Sequence, residues 1–213
     1  MAPPLNPDLA VRRCDWGLAE RPLAGQSRSG DAALVIEFAH GCLLAVADGL
    51  GHGAEAAAAA GLAMDTLRRN PAASVLQSLS NCHEALRSTR GAVMSLARVN
   101  YGDRSLTWAG FGNVGGMLLR AGQSGEGARE YLLCRSGTLG VQLLPPPYAA
   151  ITTIAAGDTL VFFTDGLEPA AVAAFTDLVS PPDRAAGALL RSAERGNDDA
   201  LVLVARFREV EAR

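Results

Sequence analysis

Lysine is absent from this chain of 213 residues, and arginine supplies every fixed positive side-chain charge. With a formal net charge of -3 and no basic run, the composition argues against a nucleic-acid partner held through its phosphates. The missing lysine itself points to compositional bias and not to a mechanism. Cysteine is sparse: Cys14, Cys42, Cys82 and Cys134 are scattered without a C-x-x-C pair, so free structural thiols are expected. Cys82-His83 would be half of a zinc site, but no second pair stands at ligand spacing. Long apolar runs are lacking too. The longest uncharged helical stretch, 56–64, is far short of the roughly 20 residues that span a bilayer. Met1-Ala2-Pro3-Pro4-Leu5-Asn6 has neither the basic nor the apolar region of a secretion signal. A cytoplasmic protein without membrane contact is the expectation.

What is present suits a globular domain. At 49% hydrophobic residues, a chain of this length can bury well over half of its unfolded surface around one core. Residues 1–10 are Pro-rich and read as a loose tail, leaving 11–213 as one domain. An alternating segment within 11–23 suits an outer strand, followed by strands at 32–38 and 42–47. Residues 53–69 read as a helix stopped by Asn70-Pro71, and Ser74 caps a second helix to about residue 88. Strands are expected at 91–99, 104–110, 115–120, 129–134, 149–154 and 159–164. Helices at 168–178 and 182–194 precede a last strand at 200–207. Runs of strands separated by paired helices, without strict βαβ alternation, predict an α+β fold with helices outside a mainly antiparallel double sheet.

The chemistry gathers where apolar runs meet acids. The run 42–47 delivers Asp48 into Gly49-Leu50-Gly51-His52-Gly53, and glycines there let main-chain groups approach a ligand closely. Thr159-Leu160-Val161-Phe162-Phe163 likewise ends in Thr164-Asp165-Gly166-Leu167. Asn197-Asp198-Asp199 stands immediately before the run 200–204, and Ser29-Gly30-Asp31 before 32–36. Singly, each acid suits a solvated turn. Together, antiparallel strands can carry them to one edge of a sheet, where their repulsion calls for a cation. Oxygen ligands alone favour Mg²⁺ or Mn²⁺ over zinc. Gly110-Phe111-Gly112-Asn113-Val114-Gly115 matches the dinucleotide fingerprint by letter, yet a strand follows it, so no helix N-terminus seats a pyrophosphate. A glycine-rich hairpin turn is expected there instead.

In order, Gly30-Asp31, Asp48-Gly49-Leu50-Gly51-His52-Gly53, Gly112-Asn113, Gly137-Thr138-Leu139-Gly140, Thr164-Asp165-Gly166-Leu167 and Asp198-Asp199 resemble the PPM metal-dependent Ser/Thr protein phosphatases. More narrowly, they resemble the bacterial SpoIIE-type branch, over about residues 14–207. A bare catalytic domain of this length is most similar to the stressosome feedback phosphatases of that branch. The resemblance implies an α-β-β-α sandwich and hydrolysis of phosphoserine or phosphothreonine by a water that two divalent ions, Mn²⁺ or Mg²⁺, activate. It implies Asp48 as the carboxylate bridging both ions and positioning the water, with the Gly49 carbonyl completing one shell and Asp31 reaching that same ion through water. Asp165 and Asp198 would hold the other ion. Asp199 either shares that task or orients the loop, because adjacent residues on a strand point to opposite faces.

The implied partner is a phosphorylated bacterial regulator: stressosome components, or alternatively a STAS-type anti-anti-sigma factor. A pseudophosphatase that binds phosphoproteins without turnover is the other alternative. Eukaryotic relatives hold phosphate with a basic residue near the start of the chain, and Arg12, Arg13, Arg21 and Arg28 offer no motif to choose among them. The register of His52 differs from that of the relatives' proposed proton donor, so it either supports the loop or transfers a proton. The segment 143–148 leaves little room for a flap over the site. An open groove suits a protein-borne phosphate.

Overall fold

In the computed structural model, residues 13–123, 128–141, 145, 147–177 and 179–208 are described. The expected tail 1–10, Arg12 and half of the 143–148 segment lie outside them. The chain runs β1 (Cys14–Arg21), β2 (Asp31–Phe38), β3 (Gly41–Gly49), α1 (Ala54–Arg69), α2 (Val75–Ala85), β4 (Ala92–Asn100), β5 (Ser105–Phe111) and β6 (Gly115–Leu119). It continues with β7 (Arg129–Tyr131), β8 (Ala150–Thr153), β9 (Thr159–Phe163), α3 (Pro169–Ala173), α4 (Pro182–Ala193) and β10 (Ala200–Phe207). Two antiparallel five-stranded sheets form, in the orders β1-β10-β9-β6-β7 and β2-β3-β4-β5-β8.

Why β3 and β10 read as unbroken apolar runs follows from their burial on both faces. In β3, Cys42, Leu44 and Val46 enter the core between the sheets, while Leu43, Ala45 and Ala47 pack beneath α1 and α2. In β10, Leu201, Leu203 and Ala205 face the other sheet, and Ala200, Val202 and Val204 meet α3 and α4. The result is the expected α-β-β-α sandwich. Small side chains bring the helices close: α1 buries Ala56, Ala59, Ala60 and Ala63. Ser74 caps α2 as expected, its hydroxyl accepting from the Gln77 amide at 3.2 Å. Among the described residues no helix is long and apolar enough to cross a membrane.

Three expectations need correction. The helix expected over 168–178 stops at Ala173, because Asp177 turns the chain by accepting from the Val179 and Ser180 amides, and Arg206 holds the Asp177 and Ser180 carbonyls. The strand expected over 129–134 ends at Tyr131; the chain then leaves that sheet, and Arg135 bonds Gly110 and Gly112 at the end of β5. The segment 110–115 is not a hairpin turn. β5 and β6 lie in different sheets, and Gly112, at φ 89°, carries the chain across. A Cβ on Gly112 would stand 2.1 Å from Val93 Cγ1.

Glycine at 17 lets α4 settle on β1, since a Cβ there would lie 2.1 Å from the Asp183 nitrogen. Gly61, inside α1, has nothing within 4 Å of its would-be Cβ. Gly17→Val is therefore expected to destabilise by about 2 kcal/mol or more, whereas Gly61→Ala stabilises by about 0.5–1 kcal/mol. Urea unfolding of both variants checks the pair.

Candidate active site

Strand alternation aims one set of polar groups into the end of the inter-sheet core. Asp48 follows Cys42, Leu44 and Val46 at spacing 2, and Asp31, its cross-strand partner, shares that face. From the opposite sheet, Thr164 follows Leu160 and Phe162, and Asp199 precedes Leu201 and Leu203. The four meet at one rim of the sandwich. The Thr164 hydroxyl donates to Asp31 Oδ2 at 2.7 Å and accepts from the Leu201 amide at 2.9 Å. Asp199 is 4% exposed, and its two oxygens accept from the Leu23 and Gly30 amides, both at 2.7 Å. That carboxylate straps the 23–30 loop to the rim.

Asp165 and Asp198 stand past the strand ends, on the opposite register from Thr164 and Asp199. Asp165 accepts from Asn113 Nδ2 at 2.6 Å, and Asp198 is exposed. Glycines close the packing around them. A Cβ on Gly49 would sit 2.1 Å from the Ala56 carbonyl oxygen, and one on Gly166 would sit 2.0 Å from that of Asp199.

The five acids feel one another. Burial raises Asp48 to about 8, reinforced by repulsion from Asp31, Asp165, Asp198 and Asp199. Burial raises Asp31 to about 7; the Thr164 hydrogen bond opposes the shift, and Asp199, Asp165 and Asp198 add to it. Asp165 is also raised, by burial and then by Asp198, while Arg195 and Asn113 pull it back. Even so, no group of three or more His, Cys, Asp or Glu among the described residues forms a metal-holding cluster by itself. The two observations fit one physical picture: the charges lie within mutual reach, but no single ion would take three of their carboxylates. Mg²⁺ and Mn²⁺ complete their shells with water, so an oxygen-only donor set that offers few carboxylates to any one ion suits them.

Other sequence candidates resolve plainly. His52 is exposed, with Nδ1 3.4 Å from Gln26 Nε2. Cys82 Sγ points to the Ala63 carbonyl and His83 Nδ1 accepts from the Gly140 amide, so the pair makes no half-site. The cysteines Cys14, Cys42, Cys82 and Cys134 are free, as expected. Of the arginines, Arg13 stacks over Tyr101 near the opposite end, Arg21 pairs with Glu194, and Arg28 is exposed on the strapped loop. Sequence reasoning missed the roles of Thr164 and Asn113. A hydroxyl within an apolar strand must find a partner when buried, which was the available signal for Thr164.

Comparison with known proteins decides the family. The family described as stage II sporulation protein E (SpoIIE) matches residues 39–208. The chain belongs to the SpoIIE family. It is 31% identical over 144 residues to phosphoserine phosphatase RsbX of Bacillus subtilis (strain 168), covering 67% of this chain and 69% of that protein. A structure described under the bacterial stressosome, "a modular system that has been adapted to control secondary messenger signaling", superposes with a TM-score of 0.82 at 28% identity. That match covers 92% of this chain and all of the other. RsbX in complex with magnesium superposes at 0.80 and 22% identity, over 91% and 95% of the two chains. The protein is thus a metal-dependent phosphatase of the PPM class with the fold of that class.

Because Asp31 and Asp48 titrate higher folded than unfolded, ionising them opposes folding. The penalty is absent below their ordinary value of 3.8 and complete above about 7 and about 8. Metal-free protein is expected to melt at lower temperature as pH rises between those limits. Mn²⁺ should restore more of the melting temperature at a pH of about 8 than at about 5. Calorimetric scans with and without chelator test this, and equal restoration at both values would contradict it.

Proposed function

We propose that this chain hydrolyses phosphoserine or phosphothreonine on a bacterial regulatory protein of stressosome type, using the acidic rim as a two-ion centre. The observation that carries the proposal is the gathering of Asp31 and Asp48 from one sheet with Asp165, Asp198 and Asp199 from the other. When bound, the divalent ions supply an activated water and offset phosphoryl charge. Asp48 would hold both ions, and the Gly49 carbonyl, fixed beneath α1, would complete the shell of one of them. Asp31, held by Thr164, would act on that side through water. Asp165, oriented by Asn113, would hold the other ion with Asp198. Asp199 is the loop-orienting member of its pair, since both its oxygens are taken by backbone amides. One catalytic domain spans 11–213 in this proposal, and it works in the cytoplasm on a phosphoprotein brought to an open rim. The phosphoserine specificity named for RsbX supports the substrate class.

Release of phosphate from an aryl phosphate is expected to require Mn²⁺ or Mg²⁺, and Asp48→Asn and Asp165→Asn each lower it by about 100-fold or more. Equal activity in the wild type and both variants rules out the assigned site. Metal binding without turnover identifies a pseudophosphatase instead. Incubating the active protein with a panel of phosphorylated stressosome proteins and anti-anti-sigma factors then selects the substrate, read as loss of the phosphorylated band.

A further inference from the structure

A site built from carboxylates needs cationic groups of its own to receive a phosphoryl dianion, and the arginines around the rim are not equivalent. Arg195 is held by Glu168, which accepts from both Nε and Nη2, and its charge acts on Asp165. Arg21 is tied to Glu194. Arg90 differs. It stands just before β4, on a turn fixed by Thr89, whose hydroxyl donates to the Leu86 carbonyl and accepts from the Gly91 amide. The next residue, Gly91, accepts from the Leu50 amide at 3.0 Å, which locks the turn to the loop after Asp48. The Arg90 guanidinium then lies over Gly51: a Cβ there would be 2.9 Å from Nη1. Gly51 in turn neighbours Gly30, whose would-be Cβ lies 3.5 Å from the Gly51 oxygen and 3.0 Å from Asp199 Oδ2. Arg90 is therefore linked to the rim at Asp199 through two glycines, Gly51 and Gly30.

Its side chain is 52% exposed and pairs with Glu55, which is 69% exposed, beside a concavity of about 440 Å³ lined by Glu55, Ala58, Ser88, Thr89 and Arg90. An exposed pair of this kind contributes little stability. A phosphoryl group, with two charged oxygens for the planar fork of a guanidinium, outcompetes a single carboxylate. We propose that Arg90 binds the phosphoryl group of the substrate, and that Glu55 is its internal competitor, occupying the guanidinium until phosphate displaces it. The inference rests on the phosphatase assignment and names the substrate-binding residue of that same site. Glycine at 51 is part of the device, because any side chain there meets the guanidinium.

Calorimetric titration of inorganic phosphate into the Mn²⁺-loaded protein tests this, alongside KM and kcat for an aryl phosphate. Arg90→Ala should weaken phosphate binding and raise KM by about tenfold or more. Arg90→Lys should recover only part of that loss. Glu55→Gln should move both quantities the other way, about twofold tighter, which a merely structural pair would not do. The Mn²⁺ concentration giving half-maximal activity should stay unchanged in all three. Wild-type phosphate affinity in Arg90→Ala overturns the proposal, as does a loss confined to Arg28→Ala or weaker binding in Glu55→Gln. The titration needs no turnover, so failure of the hydrolase assignment is seen separately, as a wild type that binds phosphate through Arg90 without releasing any from the ester.

Discussion

Like charges held at one rim by two sheets are the constraint on which this structure turns. Asp31 and Asp48 arrive on paired strands of one sheet, and Asp165, Asp198 and Asp199 on the flanking ends of β9 and β10 in the other. A fold gains nothing from such crowding in the absence of a counter-charge, and the raised carboxyls of Asp31, Asp48 and Asp165 express the cost. What keeps the acids together is the remainder of the sandwich. Core packing between the sheets fixes their spacing, and neutral donors (Thr164, Asn113 and backbone amides) fix their orientation.

The rim also explains the glycines. Gly49 and Gly166 each lie where a side chain would strike a backbone carbonyl, so α1 and the start of β10 can close directly over the turns after Asp48 and Asp165. Gly112 serves the same end differently, by turning the chain from one sheet into the other and setting Asn113 against Asp165. Rigid elements thus deliver short side chains to the rim. Asp199 illustrates the division of labour: the residue with the better buried carboxylate holds a loop, while its exposed neighbour Asp198 accepts from the Asp199 amide at 2.8 Å.

Much of this was legible in the sequence because burial leaves a clear trace. The continuous runs 42–47 and 200–204 require cover on both faces, which fits a double sheet with outer helices, and glycine beside acid at each run's end marks the rim. The correspondence of Asp31, Asp48, Thr164 and Asp199 with the inter-sheet face follows from spacing 2 alone. Which sheet a strand joins does not, since the same glycines serve a hairpin or a crossing, and so the β5–β6 connection was misread. The end of α3 was misplaced for a related reason: Arg206, some thirty residues onward, holds the Asp177 and Ser180 carbonyls of the turn that follows it, which no local pattern reveals. Arg90 likewise carries no motif. Its place over Gly51 depends on a turn bonded to the loop after β3.

Anomalous scattering from crystals grown with Mn²⁺ is the most direct test of the central claim that this rim is a two-ion centre. The account predicts two manganese peaks at the junction of the sheets, one beside Asp48 and the Gly49 carbonyl, the other beside Asp165 and Asp198, with Asp48 touching both. A map without manganese at the rim, or with manganese bound only elsewhere on the protein, would contradict it.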